Sequence, residues 1–245
     1  MNQTNLFSDH TLEPPGTIVV IGAGPLGIEA ALYGRFLGYN VTLIEAEAIG
    51  HSLRSQRDQP VPMMPDRCLS PLALSALNAQ NPEAPPLVLP TLIGEWIDRV
   101  MVGLTETDLL RGRVRCPEAV TRIGQLEIER DEEDSDEEEL PPPDFRITVG
   151  EDEFVDAEAV IVAIGDAIKI PTDFETPCPY FFTLGQGSSG DPERDFLLGL
   201  KGIVDIYANL AGRETLDLYR PVRGNPVVAE VDDEDDEDLF DDELE

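Results

Sequence analysis

Apolar positions change period twice in the first part of the chain. Thr17 to Ile21 is a β-branched run, Pro25 to Leu37 shows helical apolar spacing through Leu26, Ala30, Tyr33 and Leu37, and Val41 to Ile44 is a second buried run. With short connections between them, these segments read as β-α-β. Ser70 to Asn78 has the spacing of a short helix, and Thr91 to Val102 reads as a helix around Ile93, Trp96, Ile97 and Val100. Arg113 to Arg115 and Ala119 to Ile123 read as short strands, and Leu126 to Ile128 with Phe145 to Val149 as the arms of a hairpin or meander. Ala159 to Ile164 is continuously apolar and ends in Gly165-Asp166. Such a run is expected in the middle of a parallel sheet, where both faces are covered. After the linker KIPTDFETPCP come a short aromatic strand, Tyr180 to Leu184, a glycine-rich turn, and a helix from about Pro192 to Leu210. No internal repeat of useful period is present.

Alternating strands and helices predict an α/β fold, a Rossmann-like domain over 16–220 with a central parallel sheet and a small β-meander. Residues 1–15 are polar and end in Pro14-Pro15, so they read as a disordered lead-in. Residues 131–144 are too acidic and proline-rich to fold, and 221–245 read as an acidic disordered tail.

Charge sharpens this division. The formal net charge is -33, with eight acidic residues in Asp131 to Glu139 and eleven in Asp232 to Glu245; without those nineteen about -14 is left. A body this acidic repels phosphate backbones, which argues against nucleic-acid binding. A basic protein surface as partner, with Leu239-Phe240 as an apolar anchor in the tail, and a salty habitat both fit the charge. Cys68, Cys116 and Cys178 are widely spaced and odd in number, so free thiols are expected. No apolar run approaches the roughly 20 residues of a membrane span, and the first residues lack a basic start and an apolar core segment. A cytoplasmic protein without a membrane partner is the expectation.

Gly22-Ala23-Gly24-Pro25-Leu26-Gly27 matches GxGxxG in the setting that the pattern needs, after a strand and opening a helix. Gly22 permits the tight turn, Gly24 a close approach of backbone to a pyrophosphate, and Gly27 close packing of helix on strand. Amides at the helix start then face the phosphates, aided by the helix dipole. Glu45 ends the second strand about 20 residues on, where a carboxylate accepts both ribose hydroxyls and disfavours the 2′-phosphate of NADP. A dinucleotide cradle from about Thr17 to Glu45 is predicted, holding FAD or alternatively NAD.

The stretch GAGPLGIEAALYGRFLGYNVTLIEAEAIG resembles the FAD-binding start of the pyridine nucleotide-disulfide reductase and flavin-containing monooxygenase superfamily. The likeness continues through Gly50 and Arg54, MMPDRCLSPLALSALNAQNP and LLRGRVR, and covers most of 17–219. It implies an FAD-dependent oxidoreductase-like protein whose chemistry is carried by the flavin. It maps a pyrophosphate-neutralising arginine onto Arg54, and the flavoprotein strand near adenosine and ribitol onto VIVAIGD, with Gly165 and Asp166. FFTLGQGSSG and the helix after it resemble the last strand, turn and helix of such a flavin domain, whose electropositive helix start would lie near the flavin pyrimidine, with Gly185 in the turn. The literal GxGxxG at Gly185 to Gly190 is a weaker NADPH candidate, because Asp191-Pro192 falls where helix interior should lie and no strand ending in an acid follows. Relatives carry a full NAD(P)H domain where this chain has only the linker between Asp166 and Tyr180. The electron donor is therefore open, and a non-catalytic sensor or assembly module is the rival reading.

Other chemistries have little support. His10 and His51 are the only histidines, no Cys/His/Asp cluster has metal spacing, and no nucleophile-base pair is discernible. His51 reads as a loop residue near the cofactor, and Trp96, Tyr180 and Phe182 read as core.

Overall fold

β1 (Thr17–Ile21), α1 (Pro25–Phe36) and β2 (Asn40–Ile44) form the first unit of the computed structural model, which describes residues 11–80, 88–126, 144–165 and 169–220. β1 and β2 run parallel in register, Thr17 opposite Asn40 and Ile21 opposite Ile44. β3 (Val114–Arg115) extends the sheet beyond β2, while β7 (Ala159–Val162) and β8 (Phe181–Thr183) extend it on the other side of β1. The order is β3-β2-β1-β7-β8, and every pair is parallel. The apolar run at 159–164 thus lies inside a parallel sheet, as its composition requires, with Val160 and Ile161 buried. The fold is α/β with a Rossmann-like parallel sheet and a second, small antiparallel one.

Helices complete the layers. α2 (Pro71–Gln80), α3 (Ile93–Glu95) and α4 (Val102–Thr105) precede β3, and α5 (Pro192–Leu210) follows β8. The predicted helix at 91–102 is interrupted by a π-helical turn at Trp96–Met101. Its wider pairing brings residues four and five apart onto one face, which buries Trp96, Ile97, Val100 and Met101 together. α5 packs on α1, where the Tyr207 hydroxyl donates to the Ala30 carbonyl oxygen at 2.9 Å. Gly34 leaves room for that ring, since a Cβ there would run into the Tyr207 hydroxyl.

The meander differs in detail from the expectation. β4 (Val120–Gln125) is one strand and pairs antiparallel with β5 (Phe145–Val149); of the predicted arm Leu126 to Ile128 only Leu126 is among the described residues, its N–H donating to the Asp144 carbonyl oxygen at 2.8 Å. β6 (Glu153–Ala157) pairs with β5 as a third strand that the apolar pattern does not reveal, because its Phe154 is exposed and its acids face water. Within the lead-in, residues 11–15 are described: Leu12 is buried, its N–H donates to Leu210 O at 2.8 Å, and its carbonyl accepts the Tyr39 hydroxyl at 2.7 Å. One buried leucine with satisfied backbone is enough to tie 11–15 to the core. Most of the acidic insert, the 221–245 tail with Leu239-Phe240, His10 and Asp166 lie outside the described residues. The cysteines are free, Cys68 and Cys178 buried and Cys116 partly so. No helix among the described residues is long and apolar enough to cross a membrane, and no His/Cys/Asp/Glu group there could hold a metal.

Candidate functional site

A cavity of about 850 Å³ opens at the carboxyl ends of β1, β2, β7 and β8, where open α/β sheets bind ligands. The β1–α1 turn supplies Gly22, Gly24, Pro25 and Leu26. Glu45 to Glu47 after β2 and His51 to Leu53 form one side; Ala163 to Gly165 after β7 and Thr183 to Ser188 after β8 form the other. Met63 and Trp96 close it from the helical layer, and Asp195, Phe196 and Leu198 from α5. The sequence-predicted residues Gly22, Gly24, Pro25, Leu26, Glu45, Gly165 and Gly185 are therefore brought to one cavity.

The three fingerprint glycines are not equivalent. A Cβ on Gly22 would sit 2.8 Å from the Ala163 carbonyl oxygen, and φ there is +102°. At Gly27 it would run into the Gly22 carbonyl oxygen. The fold itself requires those two. At Gly24 the backbone is extended, with φ -77°, and a Cβ would meet nothing within 4 Å. No protein atom demands a glycine there, so the free space in front of it is the unexplained feature of the turn.

α1 begins at Pro25 without a side-chain cap and without an acidic residue in its first turn. Its dipole end faces the cavity uncompensated. Buried Ala23 stands behind this turn, its N–H donating to Glu45 Oε2 at 2.7 Å, and Glu45 Oε1 accepts the Glu47 N–H at 3.0 Å. Each carboxylate oxygen uses one lone-pair direction on the loop and retains another. Glu45 is thus held at the cavity wall in fixed orientation.

The opposite end is built differently. Asp191 caps α5, its Oδ1 accepting from the Glu193 N–H at 3.1 Å and the Arg194 N–H at 3.3 Å. Pro192 has no N–H, and the Asp195 N–H already donates to Asp191 O at 2.9 Å. The Asp195 carboxylate accepts the Ser189 N–H at 2.9 Å and the Ser188 hydroxyl at 2.8 Å. Those hydrogen bonds, from Ser189 first, hold its carboxyl below the usual range. The electropositive helix start implied by the resemblance is therefore not found: three acids, Asp191, Glu193 and Asp195, occupy that turn and its amides are satisfied within the chain. The same geometry explains the second GxGxxG. Asp191 and Pro192 are cap and first helical residue, so Gly185 to Gly190 form a loop ahead of the helix.

Arg54 is not among the residues lining the cavity; its Nε donates to the Ile49 carbonyl at 3.1 Å. The charged lining is acidic, with Glu45, Glu47, Glu118 and Asp195 and no lysine or arginine among the described residues. Trp96 combines two roles: it is buried, donates its Nε1 hydrogen to Cys68 O at 3.0 Å, meets Phe196 edge-on at 6.2 Å, and lines the cavity. Tyr180 is buried and Phe182 partly so, both packed in the core. The Cys116 thiol is pushed up by burial and then by the nearby Glu45 charge, which disfavours the thiolate. Sequence reasoning missed Glu118 and Asp195; the Asp191-Pro192-Glu193 start of α5 was the available signal for the second.

No family model matches the chain, and no curated protein matches it. Among solved structures, an oxidised steroid monooxygenase bound to NADP is similar with a TM-score of 0.45 and 19% identity, over 61% of this chain and 26% of that one. OTEMO in complex with FAD and NADP gives 0.42 and 24% over 67% and 28%. The bacillithiol disulfide reductase Bdr from Bacillus cereus gives 0.42 and 17% over 61% and 40%. The chain thus spans a quarter to two-fifths of these larger proteins, and at such scores the site's meaning rests on its own geometry.

Proposed function

We propose that this chain binds FAD through its ADP half and is an oxidoreductase-like protein built on the flavin domain. Gly24 carries the reading: the fold has no use for a glycine there, whereas a pyrophosphate against the uncapped start of α1 does. In this arrangement the Gly22 to Gly27 turn cradles the phosphates, Glu45 takes the ribose hydroxyls, and Gly165 and Gly185 let backbone approach the ligand closely. Glu45 opposes a 2′-phosphate, so NADP is disfavoured in this cradle. The isoalloxazine, when bound, supplies the redox capacity. Trp96 and the start of α5 would line its site, and Glu45 would hold the ribose. The linker between β7 and β8 leaves the electron donor to a diffusing small molecule or a partner protein.

A second reading is favoured by one observation. The acid-capped start of α5 offers no free donor to an anionic ring, which suits a neutral or cationic ring such as the nicotinamide of NAD, or a module that binds without turnover. The visible spectrum of the purified protein separates these. Flavin absorbance, native or after reconstitution, supports the first reading, and a protein that stays colourless with added FAD overturns it. If flavin is bound, anaerobic NADH and NADPH test turnover; no bleaching by either favours the non-catalytic module.

A further inference from the structure

Glu29 lies on α1, one turn past Pro25, and is only 3% exposed. Its Oε1 accepts the Ser70 N–H at 3.1 Å; its Oε2 accepts the Ser70 hydroxyl at 2.7 Å and the Tyr219 hydroxyl at 3.3 Å. The donors come from two distant parts of the chain. Ser70 opens α2, its Oγ accepting the Ala73 N–H at 3.0 Å. Tyr219 belongs to the segment after α5, which is also held by the Leu218 N–H donating to the Tyr33 hydroxyl at 3.0 Å and by the Tyr219 ring edge-on to Tyr33 at 5.1 Å. The other titratable or charged groups of this cluster are Tyr33 on α1, Tyr207 on α5, and Asp217 in the segment; α2 contributes only Ser70. None is a cation.

A buried carboxylate with neutral donors and no counter-ion is costly, because three hydrogen bonds replace only part of its hydration. Burial accordingly pushes the Glu29 carboxyl up to about 7, against the opposing pull of Ser70 and Tyr219. We propose that Glu29 is a proton-operated latch for segment 213–220, binding a proton while Tyr219 is docked and releasing it to solvent when the segment lifts and water reaches the carboxylate.

Linkage sets the direction. The docked state binds the proton more tightly than the open one, so it is favoured at low pH, loses ground as pH rises from about 4.5 to about 7, and loses no more above that, where both states are ionised. In the docked acid, the carboxyl O–H finds the Ser70 or Tyr219 oxygen as acceptor. Two residues before Ser70, the Cys68 carbonyl accepts from Trp96, which lines the cavity. The latch does not depend on which dinucleotide the cavity takes.

Hydrogen exchange at the Leu218 amide in the full chain, corrected for intrinsic exchange, tests it between about pH 4.5 and 8. Protection is expected to fall about tenfold per pH unit between about 5 and 7 and to level off above 7, after a total loss of about 300-fold if Glu29 becomes fully solvated. In Glu29→Gln the profile is expected to be flat. A flat wild-type profile, or the same fall in the variant, overturns the latch. Should the variant not fold, the carbon-13 titration of the Glu29 carboxyl in the wild type decides: a midpoint near 7 supports the latch, and one in the ordinary carboxylate range overturns it.

Discussion

Gly24 and Gly27 make the contrast between ligand and fold testable at single residues. Gly24→Val places a side chain in open cavity, so thermal stability is expected to stay within about 0.5 kcal/mol while dinucleotide affinity falls about a hundredfold or more. Gly27→Ala drives a methyl into the Gly22 backbone and is expected to cost about 3 kcal/mol in urea unfolding. Glu29 makes a separate prediction. Its carboxyl is raised from 4.5 to about 7 in the folded chain, so the folded state binds more protons than the unfolded one across that window. Its contribution is therefore fully present below about pH 4.5 and is lost as pH rises to 7, by about 3 kcal/mol. Urea titrations at pH 5 and 8 should show that loss in the wild type relative to Glu29→Gln. The fingerprint glycines and Glu45 were legible because each has a local chemical reason. Glu29 was not, since nothing in PLGIEAALYGRF says that Ser70 and Tyr219 will close over it.

At the scale of elements, the two helices that meet the cavity are capped in opposite ways. α1 starts with glycine and proline and leaves its amides to the cavity; α5 starts with Asp-Pro-Glu and satisfies its own. Asp191→Ala is expected to cost about 1 kcal/mol by thermal or urea unfolding, the usual loss for an N-cap, and to free two N–H groups at the cavity edge. α1, β2, α2, β7 and α5 were readable because long or continuous apolar patterns fix period and burial together. β6 was not, because a three-stranded meander gives its outer strand little to bury. The π-helical turn at Trp96–Met101 was also hidden, since its spacing is that of a helix read one residue at a time.

For the molecule as a whole, charge opposes the ligand. A chain of net charge -33 whose described cavity lining contains four acids and no lysine or arginine would, in the proposed reading, hold a pyrophosphate chiefly through backbone amides. Salt screens the repulsion without weakening any ion pair, so ADP affinity measured by calorimetry is expected to tighten about two- to fivefold between 20 and 300 mM NaCl. Weaker binding at high salt would instead reveal a basic residue at the phosphates, Arg54 being the first to examine by substitution.

The sequence determined the β-α-β start, the parallel character of the sheet and the residues of the glycine turn, because period, turn chemistry and buried apolar runs act over a few residues. Tertiary structure decided which parts of the chain share the cavity. It set Trp96 in the wall, turned the Arg54 Nε to the Ile49 carbonyl, and placed Ser70 and Tyr219 on Glu29. The Glu29 contacts join residues 41 and 190 positions apart in the buried cluster, where solvent exclusion and packing, rather than local pattern, choose the partners.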